Sequence, residues 1–227
     1  MKKLVLFVVI MAALSTLVAQ ETFFPTREGT VLVYKTFDKK AKETGTLRYT
    51  IKDVNIDGDN MDITYLCESM DQKSNPVYNE EITIHKKGNV LYLDMSNLIN
   101  KAAFQQEGEI PAEIKITGNK MEIPSNPQPG DILPDASVEM ALKLGIVNMR
   151  MAAEVTNRKV EAIEDISVPA GSFNCYRFSS DINSIALGIK VNTKSKEWYA
   201  KGIGTVKSES YDKKGKLQSY TILTEMN

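Results

Sequence analysis

Apolar and polar side chains alternate along this chain, and glycines among polar residues break the alternation at short intervals. That pattern limits the fold more than any other feature. The runs GTVLVYKTF (29–37), TGTLRYTIKDV (44–54), MDITYLCESM (61–70), EEITIHKK (80–87) and NVLYLDM (89–95) occupy the first half. Each alternates with period two or is rich in β-branched and aromatic residues, as expected of a strand with one buried face. Asp57-Gly58-Asp59, Lys87-Gly88-Asn89, Thr117-Gly118-Asn119 and Lys214-Gly215-Lys216 read as tight hairpin turns. The pattern resumes with SVEMALKLG (137–145), IVNMRMAAEV (146–155), KVEAIEDISV (159–168) and SFNCYRFSSDI (172–182). It ends with SIALGIKVNTKSKEWYA (184–200), GTVKSESYD (204–212) and KLQSYTILTEM (216–226). The expected fold class is all-β: meandering antiparallel strands forming a twisted β-roll or unclosed barrel, with little helix. Curling the sheet hides most of its edges.

Two segments interrupt the pattern. SNLINKAAFQQ (96–106) spaces Leu98, Ile99, Ala102 and Ala103 as a short helix would, with Ser96 as its cap. PSNPQPGDILPD (124–135) carries four of the eight prolines and is excluded from a central strand. It reads as a connection between two halves of the sheet system or as a rim loop.

The N-terminus reads as a secretory signal. Lys2 and Lys3 precede the apolar run Leu4–Leu14, and Ala19 stands at a cleavage position. The run is short for a membrane span, although an uncleaved anchor is the alternative. Cleavage leaves residues 20–227 as a single exported domain, with two intimate halves joined near 124–136 as the alternative, and no transmembrane segment in the mature chain. The expected location is the periplasm or the exterior. The mature chain holds 26 basic and 29 acidic residues, interspersed. No basic stripe is present, which argues against nucleic acid as a partner.

The residues that carry chemistry are sparse, and no cofactor is implied. His85 is the sole histidine and falls on the strand face opposite Ile82 and Ile84. One histidine supports neither a His-based zinc site nor a Ser-His-Asp triad. Asp53-Val-Asn-Ile-Asp57-Gly58-Asp59 mimics the start of a calcium loop, but Thr64 stands where the bidentate glutamate belongs. Gly202-Ile-Gly204 lacks the third glycine and following helix of a dinucleotide loop. Those two glycines serve a turn or the close passage of another backbone. No catalytic constellation emerges, and the chain is read as a non-enzyme. Cys67 and Cys175 either form one disulfide in an oxidising compartment or stay as two buried thiols.

The strongest candidate for binding is an apolar sheet face bearing methionines. Val138, Met140, Leu142 and Leu144 share one face of the first run, and Val147, Met149, Met151 and Val155 share one face of the next. Ile185, Leu187, Ile189 and Val191 read as a third row. Methionine adapts to irregular partners. Met140, Leu142, Met149, Met151, Leu187 and Ile189 are therefore the candidate wall of a pocket for an apolar small molecule or lipid. Ordinary core is the plainer reading of the same residues. Envelope proteins are the alternative partners, through an exposed strand edge or the proline-rich loop.

VPAGSFNCYRF followed by KEWYAKGIGTVKSESYDKKGKLQSYTILTEM resembles the C-terminal half of the TapB-like family of exported proteins. That family is akin to the domain of unknown function 3108 family of Gram-negative secreted proteins. FFPTREGTVLVYKTFD is similar to the family's opening strand. Ser172 stands where the pattern commonly has threonine. The resemblance implies a twisted antiparallel β-roll, analogous to periplasmic carriers with an unclosed barrel, and no established activity.

Overall fold

The structure is a computed structural model, and it describes residues 22–98, 113–144, 147–186 and 188–227. The signal-like residues, most of the 96–106 segment, and Leu187 lie outside the described residues. Met95–Leu98 form a 3-10 turn.

Thirteen strands form one antiparallel sheet. In chain order they are β1 (Val31–Asp38), β2 (Glu43–Asp57), β3 (Asn60–Asp71), β4 (Pro76–Lys87), β5 (Val90–Asp94), β6 (Glu113–Gly118) and β7 (Lys120–Pro124). Then follow β8 (Ala136–Leu144), β9 (Val147–Val168), β10 (Gly171–Ala186), β11 (Ile189–Ala200), β12 (Gly204–Asp212) and β13 (Leu217–Met226). The lateral order is β6-β8-β9-β10-β11-β12-β13-β1-β2-β3-β4-β5-β7. The sheet curls into a nearly closed barrel with one unsealed seam, as the alternation predicts.

The strands that flank the seam, β6 and β7, lie outside the runs named above. Thr117-Gly118-Asn119, expected as a hairpin turn, is not one. β6 pairs with β8 and β7 pairs with β5, so at Asn119 the chain passes from one edge of the sheet to the other. Asn119 is clamped to the start of β8. Its Oδ1 accepts the Ser137 amide at 2.6 Å, its Nδ2 donates to the Asp135 carbonyl at 3.0 Å, and its own amide donates to the Ser137 carbonyl. Gly118 is needed for close approach: a Cβ there would lie 2.4 Å from the Ser137 carbonyl oxygen.

Three other hairpins share one turn. Asp38, Asp71 and Asp212 each end a strand, and each uses Oδ1 to accept the backbone amides two and four residues on. The residue three positions on is left-handed: Ala41 (φ 60°), Ser74 (φ 63°) and Gly215 (φ 80°).

β9 corrects the sequence reading most. Residues 146–155 and 159–168, expected as separate strands, are one strand, Val147–Val168, with register shifts at Asn157–Arg158 and at Glu161. Thr156 pairs with Asp181 and Lys159 with Ser179, so Asn157 and Arg158 together face Ser180. Asn157 takes φ 51° to make this step, and its side chain donates to Asp181 at 2.8 Å. A classic two-against-one bulge of this kind shifts the alternation by one residue. Val155 faces inward, and after the bulge Arg158 and Val160 do.

The main core gathers Phe23, Ile51, Ile63, Ile82, Val160 and Phe178 with their neighbours. Met95, Ala136, Val138 and Val155 form a second cluster beside it. The opposite face of the C-terminal strands buries Cys175, Trp198 and Val206, which continue into Leu32, Tyr34 and Leu223. Ser125–Asp135 is not a loose rim. It buries Pro127 and Leu133 and bonds along β9 through Leu133, Asp131 and Gly130.

Candidate functional site

The pairing registers assemble the methionine-bearing face. Ile116, Met140, Met151, Ala186 and Ile189 stand opposite one another across β6, β8, β9, β10 and β11. Directly opposed residues project to the same face, so this is one apolar row across five strands. Leu142 and Met149 form the next row outward, and Val138, Ala153, Ser184 and Val191 the next row inward. Exposure grades steeply along the central row. Met140 is 1% exposed, Met151 is half-buried, and Ile189 is 68% exposed. Leu142 is buried and Met149 half-buried. Met95 and Met121 pack over the middle of the face.

One expected row needs correction. Ile185 to Val191 is not a single strand, because the chain turns between Ala186 and Ile189. Ile185 sits opposite Ala152 and Lys190, on the reverse face. Among the described members of that group, Ile189 and Val191 join the methionine face.

Following β11 inward, Ile189, Val191, Thr193, Ser195, Glu197 and Tyr199 occupy alternate positions, with no shift in the β10–β11 register. One side of one strand thus runs from an exposed apolar tip to an enclosed polar end. A cavity of about 20 Å³ lies there, lined by Met121, Ile123, Val155, Arg158, Phe178, Glu197 and Tyr199, with Ser179 and Ser180 at its edge. Met121 and Val155 belong to the methionine-face cluster, so the cavity is its inner extension.

The chemistry of this end was illegible in the alternation. Arg158 is 5% exposed. Its Nη1 donates to the Pro134 carbonyl at 2.7 Å and its Nη2 to the Glu122 carbonyl at 2.8 Å. The guanidinium thereby fastens β7 to β9 and the proline-rich segment across the seam. Tyr199 Oη donates to Glu197 Oε2 at 3.1 Å. Burial raises the Glu197 carboxyl above the usual range, against the lowering pull of the Tyr199 bond and Arg158. Burial likewise pushes the Tyr199 phenol up. Phe23 closes the floor, edge-on to Phe178 at 6.1 Å and to Tyr199 at 6.2 Å.

The unusual C-terminal residues are fold-forming. Pro169-Ala170 turns β9 into β10. Trp198 Nε1 and Arg177 Nη1 both donate to Glu164 Oε1, at 2.7 and 2.8 Å. Gly204 (φ 99°) admits the N-terminal segment, and a Cβ there would meet the Phe23 carbonyl oxygen at 3.4 Å. No disulfide joins Cys67 and Cys175, and both thiols are free and buried. They sit in separate clusters on strands β3 and β10, which are far apart in the sheet order. His85 Nδ1 on β4 donates to Asp62 Oδ1 on β3 at 2.7 Å. Asp57-Gly58-Asp59 is the β2–β3 hairpin turn.

Among solved structures, two match closely in shape. A candidate exported protein with a YmcC-like fold from Bacteroides fragilis is 22% identical with a TM-score of 0.75; the match covers 91% of this chain and 99% of that one. A candidate lipoprotein from Parabacteroides distasonis is 24% identical with a TM-score of 0.75 over the same shares. No curated protein matches the sequence. The DUF3108-like profile matches residues 27–223, nearly the whole described sheet. On that match, the chain belongs to the DUF3108-like family.

Proposed function

We propose that this is an envelope protein that holds an apolar chain against the methionine-bearing face, binding it without catalysis. The carrying observation is the single row from buried Met140 through half-buried Met151 to exposed Ile189. A surface that grades from core to solvent across one sheet face lets a chain-shaped guest enter from the tip without first unfolding the core. The methionines supply flexible walls. From Val191 to Glu197 the strand runs on the order of 20 Å. That is comparable with one leaflet of a hydrocarbon core on the order of 30 Å thick. An exported location is supported by the N-terminal pattern and by the exported and lipoprotein descriptions of the two structural neighbours.

Native mass spectrometry of the protein purified from its own envelope tests this reading. The expected result is a retained acyl-bearing adduct that Met151→Asp combined with Ile189→Asp abolishes. Ile132→Asp, at an exposed site elsewhere, should keep it. Adduct-free protein that also extracts nothing from phospholipid vesicles overturns the reading.

A second reading is favoured by the exposure of Ile189 and Val191 at the β10–β11 tip. There the same pair serves as a contact for another envelope protein. A crosslinked partner lost in the Ile189→Asp variant, with no lipid adduct in the wild type, selects it.

A further inference from the structure

The cavity beneath β11 differs from the rest of the interior. Met121, Ile123, Val155 and Phe178 make its apolar walls, and its polar lining is Glu197, Tyr199 and Arg158 with Ser179 and Ser180, of which Ser179 gives its hydroxyl to Glu161. The hydrogen bonds of that polar lining are unevenly distributed. Arg158 gives Nη1 and Nη2 to backbone carbonyls of the seam. Tyr199 gives its proton to Glu197 Oε2. Glu197 Oε1 makes no hydrogen bond with the described residues, and Glu197 keeps accessible surface although it is enclosed by protein. Glu197 lines the void. A carboxyl oxygen aimed into a mostly apolar space asks for a donor, because a buried acceptor left unpaired costs roughly 1–3 kcal/mol.

Size and charge narrow the donor. A cavity of about 20 Å³ holds one oxygen-sized group, since a single water needs roughly 10–15 Å³ by this kind of measure. A phosphate or a sugar is too large. Arg158 already offsets the charge of Glu197, so a cationic head would add an unbalanced positive charge and an anionic head would oppose the carboxyl. What remains is a neutral hydroxyl.

We propose that Glu197 and Tyr199 form the head-group end of the apolar site and select an uncharged, hydroxyl-bearing amphiphile, with its chain running out along β11 beneath Met121 towards Val191 and Ile189. This inference rests on the apolar-chain reading above. Arg158 is a positioning residue here, held by the seam carbonyls and balancing charge.

The test uses the full exported protein and three probes of equal chain length: a 1-alkanol, a fatty acid and an alkyltrimethylammonium. Each competes with an apolar environment-sensitive fluorophore at submicellar concentration. The alkanol should bind roughly 10-fold more tightly than either charged probe, since an unpaired or opposed buried charge costs at least that factor. Glu197→Gln removes the opposing charge, so the fatty acid should close most of its gap to the alkanol. Tyr199→Phe leaves both Glu197 oxygens without this donor, so the alkanol preference should widen. It serves as the independent variant if the glutamine variant does not fold. Equal affinities for all three probes in the wild type overturn the head-group site and leave the apolar-face reading standing. Failure of every probe to bind overturns both. An unchanged ratio in the two variants assigns the selectivity elsewhere and overturns the role of Glu197 and Tyr199.

Discussion

Ala41 and Ser74 hold left-handed backbones in turns whose third counterpart is Gly215. A non-glycine residue there carries about 1–2 kcal/mol of steric penalty, offset in part by the greater freedom of glycine when unfolded. Ala41→Gly and Ser74→Gly should therefore each stabilise the protein by about 0.5–1 kcal/mol, read as a higher urea midpoint at unchanged slope. A loss of stability would mean that these turns are not equivalent to that at Gly215. Gly204→Ala should act oppositely, destabilising by about 1–3 kcal/mol, because the residue combines φ 99° with the Phe23 carbonyl at 3.4 Å. The single residue with the most informative pH response is Glu197. The folded chain holds its proton more tightly than the unfolded chain does. Its stabilising contribution is complete below the ordinary glutamate range and is lost as pH rises through the raised value. Relative to wild type, Glu197→Gln should gain stability steadily as pH rises above the ordinary glutamate range at about 4, measured by urea denaturation at stepped pH. A flat difference would show that the carboxyl titrates normally. The turn aspartates slope the other way. Asp38 and Asp212 are lowered chiefly by backbone amides and Asp71 chiefly by the Asn75 side chain, so what they contribute is lost as pH falls.

At the scale of the element, β9 shows both the reach and the limit of periodicity. Met149, Met151 and Val155 were readable as one face, because two-residue alternation holds up to the bulge. Arg158 was not, because the left-handed step at Asn157 shifts the alternation until a second irregularity at Glu161 shifts it back. No short-range pattern distinguishes that asparagine from a turn residue. β6 and β7 were missed for a related reason. Each is short and changes partner after six or fewer residues, so neither shows the run length that alternation requires. The break between β10 and β11 lies between Ala186 and Ile189, not at Asn183 as the alternation suggests, because the one glycine there, Gly188, lacks the polar neighbours that mark the other turns. Arg158 offers the test of how these elements are joined. Arg158→Met leaves the Pro134 and Glu122 carbonyls without their donors. It should cost on the order of 2–5 kcal/mol, at about 1–3 kcal/mol for each orphaned buried group. Hydrogen exchange should quicken first in β7 and residues 131–135. Loss of less than ~1 kcal/mol would show that water replaces the guanidinium without penalty.

At the scale of the molecule, the all-β class and the roll were legible because nearly every strand follows one period. The apolar face was legible because its residues lie on consecutive runs. The polar end was not, since Arg158, Glu197 and Tyr199 are distant in sequence and meet only when the sheet curls. The two thiols report on the integrity of the two cores they occupy. Burial pushes each up to about 11. Both should resist an aromatic disulfide reagent near pH 8 in the native protein and react together on denaturation. Rapid native labelling of Cys175 alone would mean that the cluster around Trp198 opens locally.

Asn119 has a mechanical consequence. Elsewhere the wall is held by ladders of hydrogen bonds, and parting two strands means breaking several at once. Between the first and last strands of the sheet the link is a single peptide, anchored on one side by the Asn119 clamp. Parting the wall there would be a torsion about Gly118 and Asn119, opposed by the Arg158 fork and by the Ile116–Met121 packing, and it would leave every ladder whole.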